Sequence, residues 1–208
     1  RGLGDVYKRQ ILMCLGMFLS VNAQGSQGND KEFINELESK TSKIQTITCK
    51  FTQTQSLSVL SNKVSKKGVF YYQRPEQILL LFNDGDYIKM TSEDFQMKNG
   101  DKINEMKVES NPMLRELKNI LSACMTGEVM NSTKDFNHEL KKEELKYTII
   151  MTPKKKRVAS KIKEIMLEFD RRNMCLNKMK MTQPNGDYTL YEFLDKEFNK
   201  QIKQFDKR

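Results

Sequence analysis

The stretch Gly68-Val69-Phe70-Tyr71-Tyr72-Gln73-Arg74-Pro75, followed by Ile78-Leu79-Leu80-Leu81-Phe82 and Asp84-Gly85, decides the fold. Two segments rich in apolar and aromatic residues are separated by an Arg-Pro corner and closed by an Asp-Gly turn. Proline cannot donate to a β-ladder and keeps the preceding residue extended, so this corner is typical of a strand end. The stretch therefore predicts antiparallel strands at 66–73 and 77–83, with the turn leading into a third at 87–91.

The same alternation continues on both sides of this stretch. Residues 46–55 alternate apolar and polar side chains, with Ile47, Cys49 and Phe51 on one face. Asn99-Gly100 is a strong hairpin signal between two further short strands. Counting the whole chain predicts about ten antiparallel strands, drawn from eleven candidate segments: 46–55, 66–73, 77–83, 87–91, 95–97, 103–108, 136–139, 147–152, 163–170, 174–182 and 188–194.

Two amphipathic helices interrupt the strands. The first is predicted at about 30–44, with Asn29 as its N-cap. The second begins after the capping residue Asn111 and ends at Gly127, and its apolar residues recur at helical spacing. A long meander either closes into a barrel or curls and lets helices cover its open face. Two such helices favour the second arrangement, an α+β fold that is mainly β.

The N-terminus has the pattern of a secretory signal. Lys8 and Arg9 precede the apolar run 11–19, and small residues lead up to Ala23. We expect cleavage after Ala23, export, and a single soluble domain over 24–208; residues 1–10 are expected not to be native. The alternative interpretation of the run is a buried helix. It is too short to span a bilayer, which needs about 20 apolar residues.

Composition limits the class of protein. The 208 residues include 36 Lys and Arg against 27 Asp and Glu, a formal net charge of +9, and 38% are hydrophobic. This is enough apolar material for one folded core and argues against general disorder. The basic segment 153–157 is either a solvated loop or a patch that touches anionic lipid headgroups or an acidic partner. No aromatic residues interleave with it, so we expect no binding of nucleic acid.

Residues that could carry catalysis are few. His138 is the single histidine and lies in a polar strand with no nucleophile suggested beside it. There is no metal-ligand spacing and no phosphate-binding glycine loop, so we predict no catalytic residues, no metal, no cofactor and no enzyme activity. After cleavage the chain keeps three cysteines, Cys49, Cys124 and Cys175. They are either packed free thiols or include one functional disulfide, and the sequence leaves their redox state open.

Four short motifs in order resemble those of a known family. They are Phe51-Thr52-Gln53, Gly68 to Pro75, Asp84-Gly85 and Gly186-Asp187-Tyr188-Thr189. Together with the N-terminal helix they resemble the periplasmic outer-membrane lipoprotein carrier family, the LolA type, over about residues 31–199. Each motif alone is weakly specific, and their order and spacing carry the resemblance.

The resemblance implies an incomplete, half-open antiparallel β-barrel with a helical lid over an apolar cavity. In that family the cavity takes the acyl chains of lipoproteins, receives them from inner-membrane release machinery and delivers them to an outer-membrane acceptor. The corner arginine corresponds to Arg74, which the family uses to hydrogen-bond the lid closed. The alternative role for Arg74 is capping strand-end carbonyls. Position Ile78 departs from the aromatic residue that related carriers often have there.

The expectation is therefore a monomeric periplasmic carrier whose function depends on a water-free hollow beneath the helices. The residues expected to line the hollow are Phe51, Phe70, Tyr72, Ile78, Leu80, Phe82, Leu114, Leu117 and Leu121. Two other hypotheses remain. One is an exported half-barrel scaffold or sensor that binds a protein partner or another lipid without shuttling lipoproteins. The other is a lipid-modifying hydrolase, against which the missing nucleophile–base pair argues.

Overall fold

A computed structural model describes residues 26–60, 62–110, 112–129 and 135–205. The predicted signal at 1–23 and the predicted cap Asn111 lie outside the described residues. Within the described ranges, no helix is both long and apolar enough to cross a bilayer.

The described residues form three α-helices, one 3₁₀ turn and eleven strands. The helices are α1 (Ser26–Thr41), α2 (Pro112–Thr126) and the short α3 (Lys156–Ala159), and the 3₁₀ turn is Val108–Ser110. The strands are β1 (Thr46–Ser56), β2 (Val64–Gln73), β3 (Gln77–Phe82), β4 (Tyr87–Met90), β5 (Asp94–Asn99), β6 (Lys102–Lys107), β7 (Phe136–Lys142), β8 (Lys146–Pro153), β9 (Glu164–Asp170), β10 (Leu176–Thr182) and β11 (Tyr188–Phe198).

The eleven strands form a single antiparallel sheet in the part of the chain that the structure describes. Its order is β6-β5-β4-β3-β2-β1-β11-β10-β9-β8-β7, so the first and last strands pair at the centre and β6 and β7 are the two edges. The segment containing α2 connects these edges and must therefore pass across a face of the sheet. The predicted fold class, a mainly β, unclosed antiparallel half-barrel with helices, is confirmed.

Alternating burial shows which face of the sheet is covered. In β9 every second residue is buried, namely Ile165, Leu167 and Phe169. Strand β3 departs from this pattern because Leu79, on the opposite face from its buried neighbours, is also buried. The C-terminal segment explains the exception, since Lys203 and Gln204 border the same surface hollow as Leu79 and Leu81. The inner face and the C-terminal segment thus account for the doubly apolar sequence of β3.

Element boundaries differ slightly from the prediction. Helix α1 ends at Thr41 rather than 44, and the Ile44 amide donates to the Thr41 carbonyl in the turn that follows. Strand β11 continues to Phe198, beyond the predicted end at 194, because it pairs along most of β1. The short α3 lies in the β8–β9 connection, where the sequence showed only a basic loop.

One glycine allows an unusually close approach inside the sheet. A Cβ built on Gly68 would lie 2.8 Å from Cε1 of Phe51 and 2.9 Å from the carbonyl carbon of Leu81. Real Cβ contacts are essentially never this short. The absent side chain lets the Phe51 ring lie against β2, where it also contacts Phe82 edge-on at 5.2 Å.

Candidate functional site

The register of β1, β2 and β3 brings the six predicted strand residues onto one face. Tyr72 lies opposite Ile78, Phe70 lies opposite Leu80, and Gly68 lies opposite Phe82. On the other side of β2, Phe51 pairs with that same glycine. Since directly paired residues point to the same side of a sheet, the six side chains share the inner face. All six are buried.

The two long helices cover different parts of this inner face. On α1, Phe33 is fully buried and packs edge-on against Tyr147 of β8 and Phe169 of β9, with ring centroids 5.0 and 5.6 Å apart. On α2, the predicted residues Leu117 and Leu121 are buried. The side chain of the third predicted helix residue, Leu114, lies outside the described part of the structure.

The helices meet at their C-terminal ends. Gly127 follows α2 with a φ of +86°, a conformation that favours glycine. A Cβ there would lie 2.5 Å from Thr41 Oγ1 and 3.1 Å from Glu38 Cα, both on α1. The glycine predicted as a helix stop therefore also permits the close contact between the two helices.

Among the residues that the structure describes, little space is left between the helices and the sheet. A cavity of about 10 Å³ lies there, which is at the lower limit for a single water molecule. This cavity is too small for a fatty tail, because buried side chains of the helices lie against the sheet. Of the eight predicted lining residues whose side chains the structure describes, Phe70 borders the cavity. Its other walls are Thr41, Ile44, Ile47, Cys49, Cys124, Met125, Met174, Cys175, Leu176, Phe193 and Lys196.

Arg74 fastens the end of α1 to the sheet. Its Nε donates to the Ile44 carbonyl at 2.6 Å, and its Nη2 donates to the Thr41 carbonyl at 3.2 Å. The backbone amide of Arg74 donates to the Gln45 carbonyl at 2.9 Å. A guanidinium at the carbonyl end of a helix satisfies acceptors that the helix leaves free and complements its dipole. These bonds reach α1 and its following turn, which is the geometry a lid-fastening arginine requires.

A second contact from the same corner reaches α2. Lys118 Nζ lies 2.7 Å from Glu76 Oε2, and it also donates to the Ser92 carbonyl at 3.4 Å. The Lys118 side chain is 8% exposed whereas that of Glu76 is 41% exposed. We call residues 74–76 the latch corner, because its first residue binds α1 and its last binds α2.

Beyond the helices the inner face opens into a groove of about 210 Å³. We call it the mouth groove; it is lined by Gln53, Gln55, Val64, Lys66, Phe82, Asp86, Ile88, Met97, Lys98 and Asn99. Lys66 lies 2.9 Å from Asp84 and 2.7 Å from Asp86. Its hydrogen bond is the main cause that lowers the pKa of each carboxyl group, so both stay ionised and neither is suited to general acid–base work.

A family model described as outer membrane lipoprotein carrier protein LolA matches residues 42–205. The chain belongs to this family. The predicted resemblance is confirmed, and the LolA-type fold is one that binds lipid or lipoprotein. No curated protein matches the chain.

Three solved structures are similar to this chain at low identity. A LolA superfamily protein from Nitrosomonas europaea is 7% identical, with a TM-score of 0.42 over 86% of this chain and 97% of that one. A putative outer membrane lipoprotein-sorting protein domain from Vibrio parahaemolyticus is 10% identical, with a TM-score of 0.46 over 84% and 94%. The lipoprotein LppX from Mycobacterium tuberculosis is 10% identical, with a TM-score of 0.47 over 85% and 98%.

In this LolA-family chain the sequence did not reveal the contact between Glu76 of the latch corner and Lys118. Glu76 directly follows the Arg-Pro corner, and Lys118 stands between Leu117 and Leu121 in the apolar stripe of α2. A cation so close to an apolar stripe indicates a partner at the surface that the stripe covers. The partner itself could not be named, because the two residues are 42 positions apart.

Three thiols also meet at the cavity of the LolA-type fold. Cys49, Cys124 and Cys175 are buried and free. Burial raises the pKa of Cys49 to about 12 and raises the pKa values of the other two thiols as well. Thiols held in the neutral form are poor nucleophiles, so these residues act here as small apolar wall residues.

Proposed function

We propose that this protein is an exported, non-catalytic carrier that binds the acyl chains of lipoproteins and moves them from the inner to the outer membrane. In this proposal a signal at 1–23 directs export to the periplasm, and a single domain over 24–208 does the carrying as a monomer. Membership of the LolA family supports the class of cargo. The observation that carries the proposal is the latch corner, where two helices over an apolar face are fastened by a few polar contacts.

An apolar face of this size must be covered whether or not a ligand is present. In the closed arrangement α1 and α2 cover it, with a cavity of about 10 Å³ between them and the sheet. In the loaded protein acyl chains would take over part of that role, lying against the nine residues that we predict as lining. Swinging the helices outward exchanges one apolar cover for another, so the net cost of opening is set largely by the polar contacts at the latch corner.

The energies involved are of suitable size. Burying acyl chain contributes about 0.8 kcal/mol per CH₂, so ten buried methylenes contribute about 8 kcal/mol. A hydrogen bond to a charged group contributes about 1.5–3 kcal/mol. The lipid can therefore displace the helices, while the contacts of Arg74 and Lys118 still favour closure enough to help release.

The test compares Arg74→Leu with the wild type in loading and release of a lipoprotein. Because Arg74 stabilises the empty, closed state, its loss should shift the equilibrium toward the loaded state by roughly 10- to 100-fold. Release to an acceptor should fall accordingly. Arg172→Leu is the matched control, since the Arg172 side chain is 86% exposed and makes no contact with α1 carbonyls among the described hydrogen bonds. Release equal to that of the wild type would contradict the latch.

One observation favours the second hypothesis, a half-barrel that binds a protein partner without shuttling lipid. The interior is nearly full, as expected of a domain that never opens. Mass spectrometry of the mature protein purified from its own periplasm separates the two. Co-purified acyl lipid or lipoprotein supports the carrier, whereas one stoichiometric protein without lipid supports the scaffold.

A further inference from the structure

The mouth groove opens toward one end of the sheet, and the register locates that end. A row of paired residues crosses seven strands there: Val64, Gln55, Thr189, Met181, Ile165, Met151 and His138. Beyond this row lie the β1–β2, β8–β9 and β10–β11 connections. The latch corner belongs to the opposite end, because Tyr72, just before it, pairs with Ile47 near the start of β1.

The three connections carry an uneven charge. The β8–β9 connection contributes six cations, all exposed: Lys154, Lys155, Lys156, Arg157, Lys161 and Lys163. The β1–β2 connection adds Lys63, and the only carboxylate in the three connections is Asp187 of the β10–β11 turn. The sum is seven positive charges and one negative charge, or +6, of the formal +9 of the whole chain. We call these three connections the basic face.

The cations are held outward by the fold. Val158 is 7% exposed and Ile162 is 2% exposed, so these two side chains anchor the connection to the core. Asp135 forms an ion pair with Lys155 at 2.6 Å, which neutralises one charge. Asp187 accepts from the Ser58 amide at 2.6 Å and so stabilises the β1–β2 tip. On the groove side of the same end, Asp84 and Asp86 are paired with Lys66. A net positive charge therefore remains on these three connections.

Exposed apolar side chains stand at the same end. Val59 is 86% exposed and Leu60 is 47% exposed at the β1–β2 tip, and Val64 of the mouth groove is 42% exposed. Two lysines lie over the Tyr188 ring: Lys63 Nζ is 5.8 Å and Lys180 Nζ is 4.5 Å from the ring centroid. Apolar residues that project among cations match the interface of an anionic bilayer, where lipid phosphates meet acyl chains.

The geometry points to the basic face as the surface that docks this carrier, mouth first, onto an anionic lipid bilayer. The inference rests on the proposed function, and it names the partner: headgroups of negatively charged phospholipid. The cations supply long-range attraction that salt screens, and Val59 and Leu60 enter the interface. Docking in this orientation places the mouth groove against the membrane, so an acyl chain can pass between bilayer and protein with little exposure to water.

The experiment is co-sedimentation of the mature protein with vesicles of phosphatidylcholine alone or of phosphatidylcholine mixed with phosphatidylglycerol. The test variant combines Lys156→Glu, Arg157→Glu and Lys161→Glu. The matched control combines Arg172→Glu, Lys200→Glu and Lys203→Glu, three exposed residues away from the basic face that give the same net charge. A second variant, Val59→Ser with Leu60→Ser, removes the apolar tip and leaves the charge unchanged.

We expect the wild type to bind the anionic vesicles only, and to lose binding as salt is raised. The test variant should bind the anionic vesicles roughly 100-fold more weakly at low salt. The control variant should lose much less of its vesicle binding, and the binding of the tip variant should lie between those of the test and control variants. Equal losses in test and control variants would overturn the inference, as would equal binding to both vesicle types. Absence of vesicle binding by the wild type would also overturn it and favour an acidic protein partner.

Binding of a fluorescent fatty-acyl probe, measured on the same samples without vesicles, separates this inference from the proposed function. Probe binding that stays intact while vesicle binding is lost supports docking as a distinct step. Probe binding absent from the wild type itself contradicts the carrier function, whatever the vesicles show. Probe binding lost only in the test variant would contradict docking, because the substitutions would then act on the apolar interior.

Discussion

The covered half of the inner face and the mouth groove are built on the same strands but differ in what closes them. Under α1 and α2, Phe70, Tyr72 and Ile78 are inaccessible and about 10 Å³ is empty. A few residues further along the same strands, Lys66 and Phe82 line a groove of about 210 Å³. The strands place apolar side chains along the whole face, whereas the helices decide where there is space.

The difference also concerns the kind of contact that maintains each region. The covered half combines extensive apolar packing with the polar contacts of Arg74 and Glu76 at one corner. The mouth groove contains a lysine between two aspartates, which remain partly hydrated. Apolar packing is not directional, so it tolerates replacement of helix by lipid, while the polar contacts are specific to the closed state.

The largest expected effect comes from emptying the covered half. Phe70→Ala should lower the free energy of unfolding by about 3–5 kcal/mol, because the ring is fully buried and packs edge-on against Phe193 at 5.2 Å. Tyr71→Ala, one residue further along on the outer face, is the matched control and should cost clearly less. Urea unfolding measures both. A loss of unfolding free energy below about 1 kcal/mol for Phe70→Ala would show that the ring is not tightly packed.

A smaller effect is expected from breaking the contact between Glu76 of the latch corner and Lys118 of α2. Glu76→Gln should lower the free energy of unfolding by about 1–3 kcal/mol, since it replaces the carboxylate that faces the buried cation of Lys118 by a neutral amide. Lys118→Met should cost less, because the remaining carboxylate is 41% exposed and can be hydrated. Chemical denaturation of the two variants and of the double variant gives the coupling between the residues.

Glu76→Gln should therefore lower the free energy of unfolding more than Lys118→Met does. If Lys118→Met were as damaging as Glu76→Gln, the pair would contribute by attraction alone and burial of the lysine would not matter. A coupling near zero in the double variant would show that Glu76 does not hold α2.

The smallest effect is a dependence on pH that belongs to the mouth groove. The hydrogen bond from Lys66 lowers the pKa of Asp86 below its ordinary value of 3.8, and it does the same to Asp84. A group with a lowered folded-state pKa contributes stability above its unfolded pKa and loses it as pH falls through the folded pKa. The free energy of unfolding should therefore fall as pH drops below about 4. Lys66→Ala should reduce the slope of the free energy of unfolding against pH in this range. Midpoints of urea unfolding across this range provide the measurement, and an unchanged slope in Lys66→Ala would contradict it.

Most of the sheet could be predicted from local patterns. Alternation in β1, the Arg-Pro corner and the Asp-Gly and Asn-Gly turns each act within a few residues, so the strands and their antiparallel order follow from neighbouring side chains. The shared face of Phe51, Phe70 and Leu80 also follows, once the hairpins fix the register. The pairing of β1 with β11 could not be predicted in this way, because 132 residues separate Ser56 from Tyr188 and no local pattern spans that distance.

By itself the sequence determined a long antiparallel meander with one apolar face, two amphipathic helices to cover it and an arginine at a strand corner. Only the tertiary structure decided that the helices nearly fill the space, that Glu76 reaches Lys118, and that the cations gather beside the mouth groove. Periodicity reports which side of an element is apolar, since it depends on side-chain spacing along one segment. The volume left between segments and the meeting of distant charges depend on how whole elements pack.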